Sequence, residues 1–152
     1  RQADWIETIY FSTNESEAKL FYKQTRNFTE KSTALEQGYK AMSEVIMCNH
    51  VSNPFTKLSY FKKGKVLLEK AISQDLKNIE LRFIRYCVQT NAPSIVDYND
   101  KINDDKKILF SYLLNNREQK KRDEELFQNV KSFLQQSKNC TTAEKKILKD
   151  IS

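Results

Sequence analysis

The stretch VSNPFTKLSYFKKGKVLLEKAISQDLKN, residues 51–78, decides the fold class. Asn53 is a good helix N-cap, and Pro54 suits the first helical position, where its missing N–H is harmless. Apolar residues then recur at helical spacing to about Gln74, before a turn over 75–78. The stretch predicts one long helix over 54–74. Gly64 lies inside it, where a glycine indicates close approach of a neighbouring helix.

The composition of the whole chain extends this prediction. The 152 residues include two Gly and two Pro. An average chain of this length would carry about 18 Gly and Pro residues together. This scarcity disfavours β-sandwiches, barrels and glycine-rich nucleotide-binding folds, which need many tight turns. Hydrophobic residues make up 39% of the chain, enough for a core. We therefore expect a single all-α domain over residues 1–152.

Capping residues and breaks predict the other helices. Asn14 with Glu17, Thr33 with Glu36 and Thr141 with Glu144 have the spacing of capping boxes, and Gly38 lies inside a predicted helix as Gly64 does. The predicted helices cover residues 4–11, 14–30, 33–48, 54–74, 79–90, 101–115 and 118–136, with a short one after Thr141. The short connections favour seven or eight helices in antiparallel hairpins.

Part of this stretch resembles the second helix of a tetratricopeptide repeat. That helix has a small residue, a large apolar residue four positions on and an alanine three further on, followed by a turn. The matching residues are Gly64, Leu68, Ala71, Asp75 and Asn78, with Leu76 where the repeat has proline. The resemblance implies a tetratricopeptide-like α-α superhelix, an architecture that offers a concave binding surface.

Residues 35–110 also resemble an uncharacterised helical protein family from Bacteroidetes, often made with a signal peptide. The matching pieces are Asn53–Phe55, Lys70–Ile72, Glu80–Arg85, Asn91–Pro93 and Tyr98. The resemblance implies a fold and export, without an assigned reaction. The chain begins at Arg1 rather than Met, as a cloned fragment, a cleaved signal peptide or a trimmed lipoprotein anchor would. Together with the resemblance, this start leads us to expect a periplasmic or secreted protein after signal-peptide removal, with a cytoplasmic location as the open alternative.

Charge and cysteine usage narrow the partner classes. The net charge of +6 is diffuse, whereas nucleic-acid binders concentrate charge on one face. The densest basic runs are Lys57–Lys65 and Arg117–Arg122. No stretch approaches the roughly 20 apolar residues of a membrane span. The chain has three cysteines, Cys48, Cys87 and Cys140, without metal-ligand spacing, so we expect no metal or cofactor, and we expect Cys48 and Cys87 in the core.

One polar row is the candidate ligand site. Arg82, Arg85 and Gln89 share one helix face, and two guanidinium groups could hold a carboxylate or phosphate. The alternative is that Arg82 or Arg85 pairs with Asp104 or Asp105 and fastens the intervening loop. We favour the pairing.

Catalytic residues are harder to assign. His50 has Cys48 only two positions away, and residues at that spacing do not face each other on a helix. The neighbouring acids Asp104–Asp105 and Glu124–Glu125 diverge by about 100° on a helix. We expect no enzyme, although a hydrolase or transferase without a recognised motif stays an alternative.

The aromatic residues supply the second candidate site. Most recur at helical spacing and are expected in the core, but Tyr22, Tyr39 and Tyr60 could line a groove for a peptide. The leading prediction is a non-enzymatic helical interaction domain that binds a protein or peptide. A domain that binds a small ligand or anion through Arg82, Arg85 and Gln89 is the alternative. The oligomeric state is not predicted.

Overall fold

A computed structural model describes residues 14–118 and 122–151 of the chain. These residues form seven α-helices and two short 3-10 helices, and no β-strand occurs among them. The α-helices are α1 (Glu15–Thr25), α2 (Ala34–Met47), α3 (Pro54–Gln74), α4 (Ile79–Asn91), α5 (Ile102–Asn115), α6 (Glu124–Gln136) and α7 (Thr142–Lys149). The all-α prediction is confirmed. The helix predicted over residues 4–11 lies outside the described residues.

Local capping explains where the helices begin. The Asn53 side chain accepts hydrogen bonds from the N–H groups of Phe55 and Thr56. Full capping boxes form at Thr33 and Thr141, as predicted. At Asn14 the carboxamide caps Glu17 N and also donates to the Glu17 carboxylate, so the reciprocal bond joins the two side chains. Such bonds satisfy N–H groups that have no partner within the helix.

Two predicted helix boundaries are wrong. α1 ends at Thr25 rather than Glu30. The Thr25 hydroxyl bonds to Ser43 of α2, and a turn follows in which the Ser32 hydroxyl accepts from Thr29 N. α6 begins at Glu124 rather than Glu118, because the Asp123 side chain caps Leu126 N. Short polar side chains offer the backbone alternatives to the helix, and here they end or delay it.

Helix α2 organises the first half of the domain. It packs against α1, α3 and α4, and consecutive helices α4 with α5 and α6 with α7 are also neighbours. A Cβ on Gly38 would meet Leu81 and Ile84 of α4, and one on Gly64 would meet Ala41 and Val45 of α2. Both glycines therefore permit a close helix approach, as predicted. Helix α2 lies between its neighbours at these contacts.

Aromatic contacts fasten α6 to α4. The Phe133 ring meets the rings of Phe83 and Tyr86 edge-on at centroid distances of 5.6 and 5.9 Å. The Tyr86 hydroxyl shares a 2.7 Å hydrogen bond with Ser137 just after α6. The core of the described chain thus continues from α2 through α4 to α6. Among the described residues, none of the helices has both the length and the apolarity needed to cross a membrane.

Candidate functional site

The predicted arginine row lies on α4, and Arg85 is at its centre. Arg85 is 5% exposed. Its Nε and Nη2 donate to the two carboxylate oxygens of Asp105 at 2.7 and 2.9 Å. Its Nη1 donates to Glu69 of α3 at 2.8 Å. All three nitrogens of this guanidinium therefore have carboxylate partners within the chain, and the bidentate pairing with Asp105 is the strongest geometry available to arginine.

Arg82 bonds to the same carboxylate. Its Nη1 donates to Asp105 at 3.2 Å, and its Nε and Nη2 donate to the carbonyl of Leu76. Asp105 is fully buried. Two arginines thus meet two carboxylates, Asp105 and Glu69, and their formal charges cancel. Burial alone would lower the pKa of Arg85, but the hydrogen bonds that Arg85 donates to Asp105 and Glu69 outweigh it and raise that pKa above its usual value.

Gln89 completes the row without contacting either arginine's carboxylate. Its amide nitrogen donates to Asp100 at 3.1 Å, and its carbonyl accepts from Lys101 N at 2.9 Å. Gln89 thereby holds the connection that leads into α5. We call the set Glu69, Arg82, Arg85 and Asp105 the buried ion cluster, after its buried centre Arg85 and Asp105; Arg82 and Glu69 are half-buried.

The pairing that we favoured from the sequence is therefore present. Arg82 and Arg85 both bond to Asp105, whereas Asp104 is exposed and approaches only Lys101, at 3.9 Å. An external carboxylate or phosphate would have to displace Asp105 or Glu69 to reach Arg85. The buried ion cluster joins α3, α4 and α5, which is a structural role.

The predicted tyrosine groove separates into two places. The rings of Tyr22 and Tyr60 meet edge-on with centroids 5.8 Å apart, and the Arg26 guanidinium lies 3.6 Å from the Tyr22 ring centre. Arg26 also pairs with the buried Glu44 at 2.7 Å. Tyr22 and Tyr60 are only half-buried, so they are available to a groove.

Tyr39 does not belong with these two residues. It is 3% exposed and forms part of the core. The reason is that α2 packs against three helices and is buried over most of its length. Helical spacing alone does not reveal how many sides of a helix are covered. The prediction that Tyr39 lines a surface groove is therefore wrong.

The environments of the three thiols disfavour their thiolate forms. Burial raises the pKa of Cys48 to about 11, and burial also raises the pKa of Cys87 and of Cys140. A nucleophilic cysteine needs the opposite shift. All three cysteines are free; Cys87 is buried as predicted, whereas Cys48 is half-buried. In the described part of the chain, no group of three or more His, Cys, Asp and Glu residues could hold a metal ion.

Two candidates for catalytic residues remain, His50 and the acid pair Glu124–Glu125. His50 ends a 3-10 helix between α2 and α3 and is half-buried. Glu124 is exposed and bonds to Arg122, and the hydrogen bonds from Arg122 and Gln128 lower its pKa to about 2. Glu125 is its sequence neighbour, half-buried. Glu124 therefore remains charged near neutral pH, as expected of an acid in the first turn of a helix.

A different surface stands out on α3, and sequence reasoning missed it. Phe55 is 84% exposed, Val66 66% and Leu58 41%, and Lys62 and Lys63 are exposed on the same side. Phe55, Lys62 and Val66 are separated by seven and four residues, so they form one stripe along the helix. We call Phe55, Leu58, Lys62, Lys63 and Val66 the basic-apolar face.

A signal for this face does exist in the sequence. No Asp or Glu occurs between Val45 and Leu68, although the run contains four lysines. Neither Lys62 nor Lys63 forms an ion pair with the residues that the structure describes. Comparison of the chain with protein families, with curated proteins and with solved structures gives no match, so the family resemblances stay predictions.

Proposed function

We propose that this chain is a non-enzymatic interaction domain that binds a protein or peptide on the basic-apolar face of α3. The observation that carries the proposal is the exposure of Phe55, Leu58 and Val66 on one helix. Single exposed apolar residues are ordinary. Three of them within twelve residues of one helix, or about 16 Å, form a row that a partner can cover.

The energetics favour such a partner. Burying one Phe, Leu or Val side chain contributes about 1.5–3 kcal/mol relative to leaving it in water. Residues Pro54 to Ser59 are all exposed, so the first turns of α3 gain little from their own domain. A partner that covered Phe55 and Val66 would recover this free energy without rearranging the core.

The other polar groups support binding over catalysis. The buried ion cluster uses its arginine donors within the chain, and burial raises the pKa of each thiol. Tyr22 and Tyr60, the remaining part of the predicted groove, lie apart from this face, because Tyr60 is five residues and so about 140° around α3 from Phe55. The tetratricopeptide-like superhelix, the Bacteroidetes resemblance and a periplasmic or secreted location stay expectations from the sequence.

The test is selection from a random peptide display library with the full chain as bait. We expect enriched peptides to bind the wild-type chain with micromolar dissociation constants. The variant Phe55→Ser/Val66→Ser should lose at least about tenfold in affinity, because about 1.4 kcal/mol corresponds to tenfold.

The matched control is Leu76→Ser, which removes an exposed leucine beyond the opposite end of α3. It should keep the wild-type affinity, and both variants should melt close to the wild type. Enriched peptides that bind the Phe55→Ser/Val66→Ser variant as well as the wild type would contradict the proposed surface. The absence of any enriched peptide would contradict the proposed function.

A further inference from the structure

The charge of the basic-apolar face points to the chemistry of its partner. We infer that this face binds an acidic amphipathic helix, a protein segment in which Asp or Glu residues alternate with apolar side chains. The inference rests on the proposed function and specifies the partner class. It requires that the lysine charges are not neutralised inside the domain.

The neighbouring carboxylates are committed elsewhere. Glu44 and Glu69 are the acids that flank the acid-free run 45–68. Glu44 is buried and pairs with Arg26, and Glu69 pairs with Arg85. Neither carboxylate is paired with Lys62 or Lys63, so the positive potential of the two ammonium groups extends into solvent.

Other lysines on α3 differ from these two. The Lys65 ammonium lies 5.0 Å from the centre of the Tyr98 ring, and Lys70 approaches Glu30 at 3.5 Å. Both therefore have an interaction within the domain. Lys57 is exposed, but it lies on the opposite side of the helix from Phe55 and Lys62, as the 100° step per residue requires. The unpaired charge next to the apolar stripe thus belongs to Lys62 and Lys63.

The arrangement of the stripe favours a protein segment over a lipid surface. Lys62 lies between Phe55 and Val66 in one row, within an arc of about 40°. Helices that lie in a membrane interface separate their apolar face from their lysines. Here a flat bilayer would have to accept Lys62 together with the two apolar side chains. A partner helix can instead place a carboxylate opposite Lys62 and apolar side chains on either side of it.

A second copy of this chain fits the face poorly. It would bring the same lysines into the contact, and like charges in an interface oppose association. The row from Phe55 to Val66 spans about 16 Å, which corresponds to roughly eleven residues of a partner helix. A contact with one helix of this length buries less surface area than most stable interfaces do. We therefore expect reversible binding.

Three synthetic peptides of one length test the inference. All carry leucines at helical spacing, and the flanking positions are Glu in the first, Gln in the second and Lys in the third. Their dissociation constants for the full chain are measured by fluorescence anisotropy at about 50 and 300 mM NaCl. We expect the Glu peptide to bind about tenfold more tightly than the Gln peptide at low salt, with a smaller ratio at high salt.

Substitutions locate the effect. In Lys62→Gln/Lys63→Gln the preference for the Glu peptide should disappear, while the affinity for the Gln peptide stays the same. The control Lys57→Gln/Lys77→Gln makes the same change in net charge at two other exposed lysines and should keep the preference.

Each contrary outcome has a separate meaning. Equal binding of the Glu and Gln peptides, both lost in Phe55→Ser/Val66→Ser, would overturn the acidic partner but keep the proposed function. Binding of no peptide would overturn both proposals. Vesicles of phosphatidylcholine and phosphatidylserine at about 3:1 are the last arm. The inference would be overturned in favour of a lipid surface if the chain bound these vesicles through Phe55 and did not discriminate between the Glu and Gln peptides.

Discussion

Two groups of basic residues in this domain have opposite environments. Arg82 and Arg85 on α4 bond to the buried carboxylate of Asp105, and Arg85 also bonds to Glu69. Lys62 and Lys63 on α3 are exposed and have no carboxylate partner among the described residues. Both groups have the composition of an anion-binding site. The difference between them is the presence of acids in the space around them.

This difference separates a charge that stabilises the fold from a charge that is available to a binding partner. A buried arginine with two carboxylate partners holds three helices together, and removing one partner leaves a charge out of water. An exposed lysine without a partner contributes little to folding and can be used by another molecule.

Removal of the shared carboxylate should break the buried ion cluster. We expect Asp105→Asn to lower the free energy of unfolding by about 3–5 kcal/mol, because two arginines lose a buried charged partner. Its neighbour Asp104 is exposed, and Asp104→Asn should change the free energy of unfolding by about 0.5 kcal/mol or less. Denaturant unfolding measures both. Equal midpoints for the two variants would show that the cluster does not hold the fold.

The packing of α3 against α2 determines the orientation of the basic-apolar face. A Cβ on Gly64 would lie 2.5 Å from Val45 Cγ2 and 2.9 Å from the Ala41 carbonyl oxygen, whereas one on Gly38 would chiefly meet the end of the Leu81 side chain. We expect Gly64→Ala to cost about 1–3 kcal/mol through overpacking, offset in part by about 1 kcal/mol of helix propensity.

Gly38→Ala provides the comparison. The Leu81 terminus can move, while a backbone carbonyl cannot, so Gly38→Ala should cost less than Gly64→Ala in thermal unfolding. The reverse order would mean that the α2–α3 contact is looser than described.

A buried tyrosine hydroxyl, like a buried charge, should contribute to stability when it has a partner within the domain. The Tyr86 hydroxyl bonds to Ser137, whereas the Tyr39 hydroxyl is buried without a hydrogen-bond partner. We expect Tyr86→Phe to lose about 0.5–1.5 kcal/mol of stability, because Ser137 loses its buried partner and keeps only the hydrogen bond from Asn139 N. Tyr39→Phe should be neutral or stabilising. A larger loss for Tyr39→Phe in urea unfolding would contradict the contact pattern.

The ion pair between the exposed Glu124 and the buried Arg122 side chain should have the smallest effect and a defined pH dependence. The hydrogen bonds from Arg122 and Gln128 lower the pKa of Glu124 from 4.5 to about 2. A lowered pKa in the folded state means that the carboxylate form favours folding, so this contribution is present above about pH 4.5 and disappears as the pH falls towards about 2. Glu124→Gln should therefore flatten the dependence of the melting temperature on pH over that range.

Salt provides the check on this last prediction. Because the Glu124 side chain is half-exposed while that of Arg122 is buried, about 1 M NaCl should reduce in part the difference between Glu124→Gln and the wild type. A pH dependence that is unchanged by the substitution would assign the acid sensitivity to other carboxylates.

The sequence reveals the features that depend on near neighbours. The caps at Thr33, Asn53 and Thr141 are predictable because each cap bonds to a backbone group two or three residues away. The close approaches at Gly38 and Gly64 follow from the cost of glycine inside a helix. The pairing of Arg85 with Asp105 could be proposed as one of a few choices, since their helices are consecutive.

Features that depend on distant contacts could not be predicted in this way. α1 ends early where the Thr25 hydroxyl bonds to Ser43, eighteen residues away. Tyr39 is in the core because three helices cover α2. The basic-apolar face depends on which side of α3 packs inward, although the absence of acids from 45 to 68 indicated it.

The most direct test of this division measures stability and binding in the same two variants. Arg82→Gln should lower the free energy of unfolding by about 1–3 kcal/mol and leave the affinity for the Glu peptide within about twofold. Lys62→Gln/Lys63→Gln should leave stability within about 0.5 kcal/mol and weaken that affinity about tenfold. If the lysine variant lost stability and kept its affinity, while the arginine variant lost affinity at unchanged stability, the roles assigned to the two groups would be wrong.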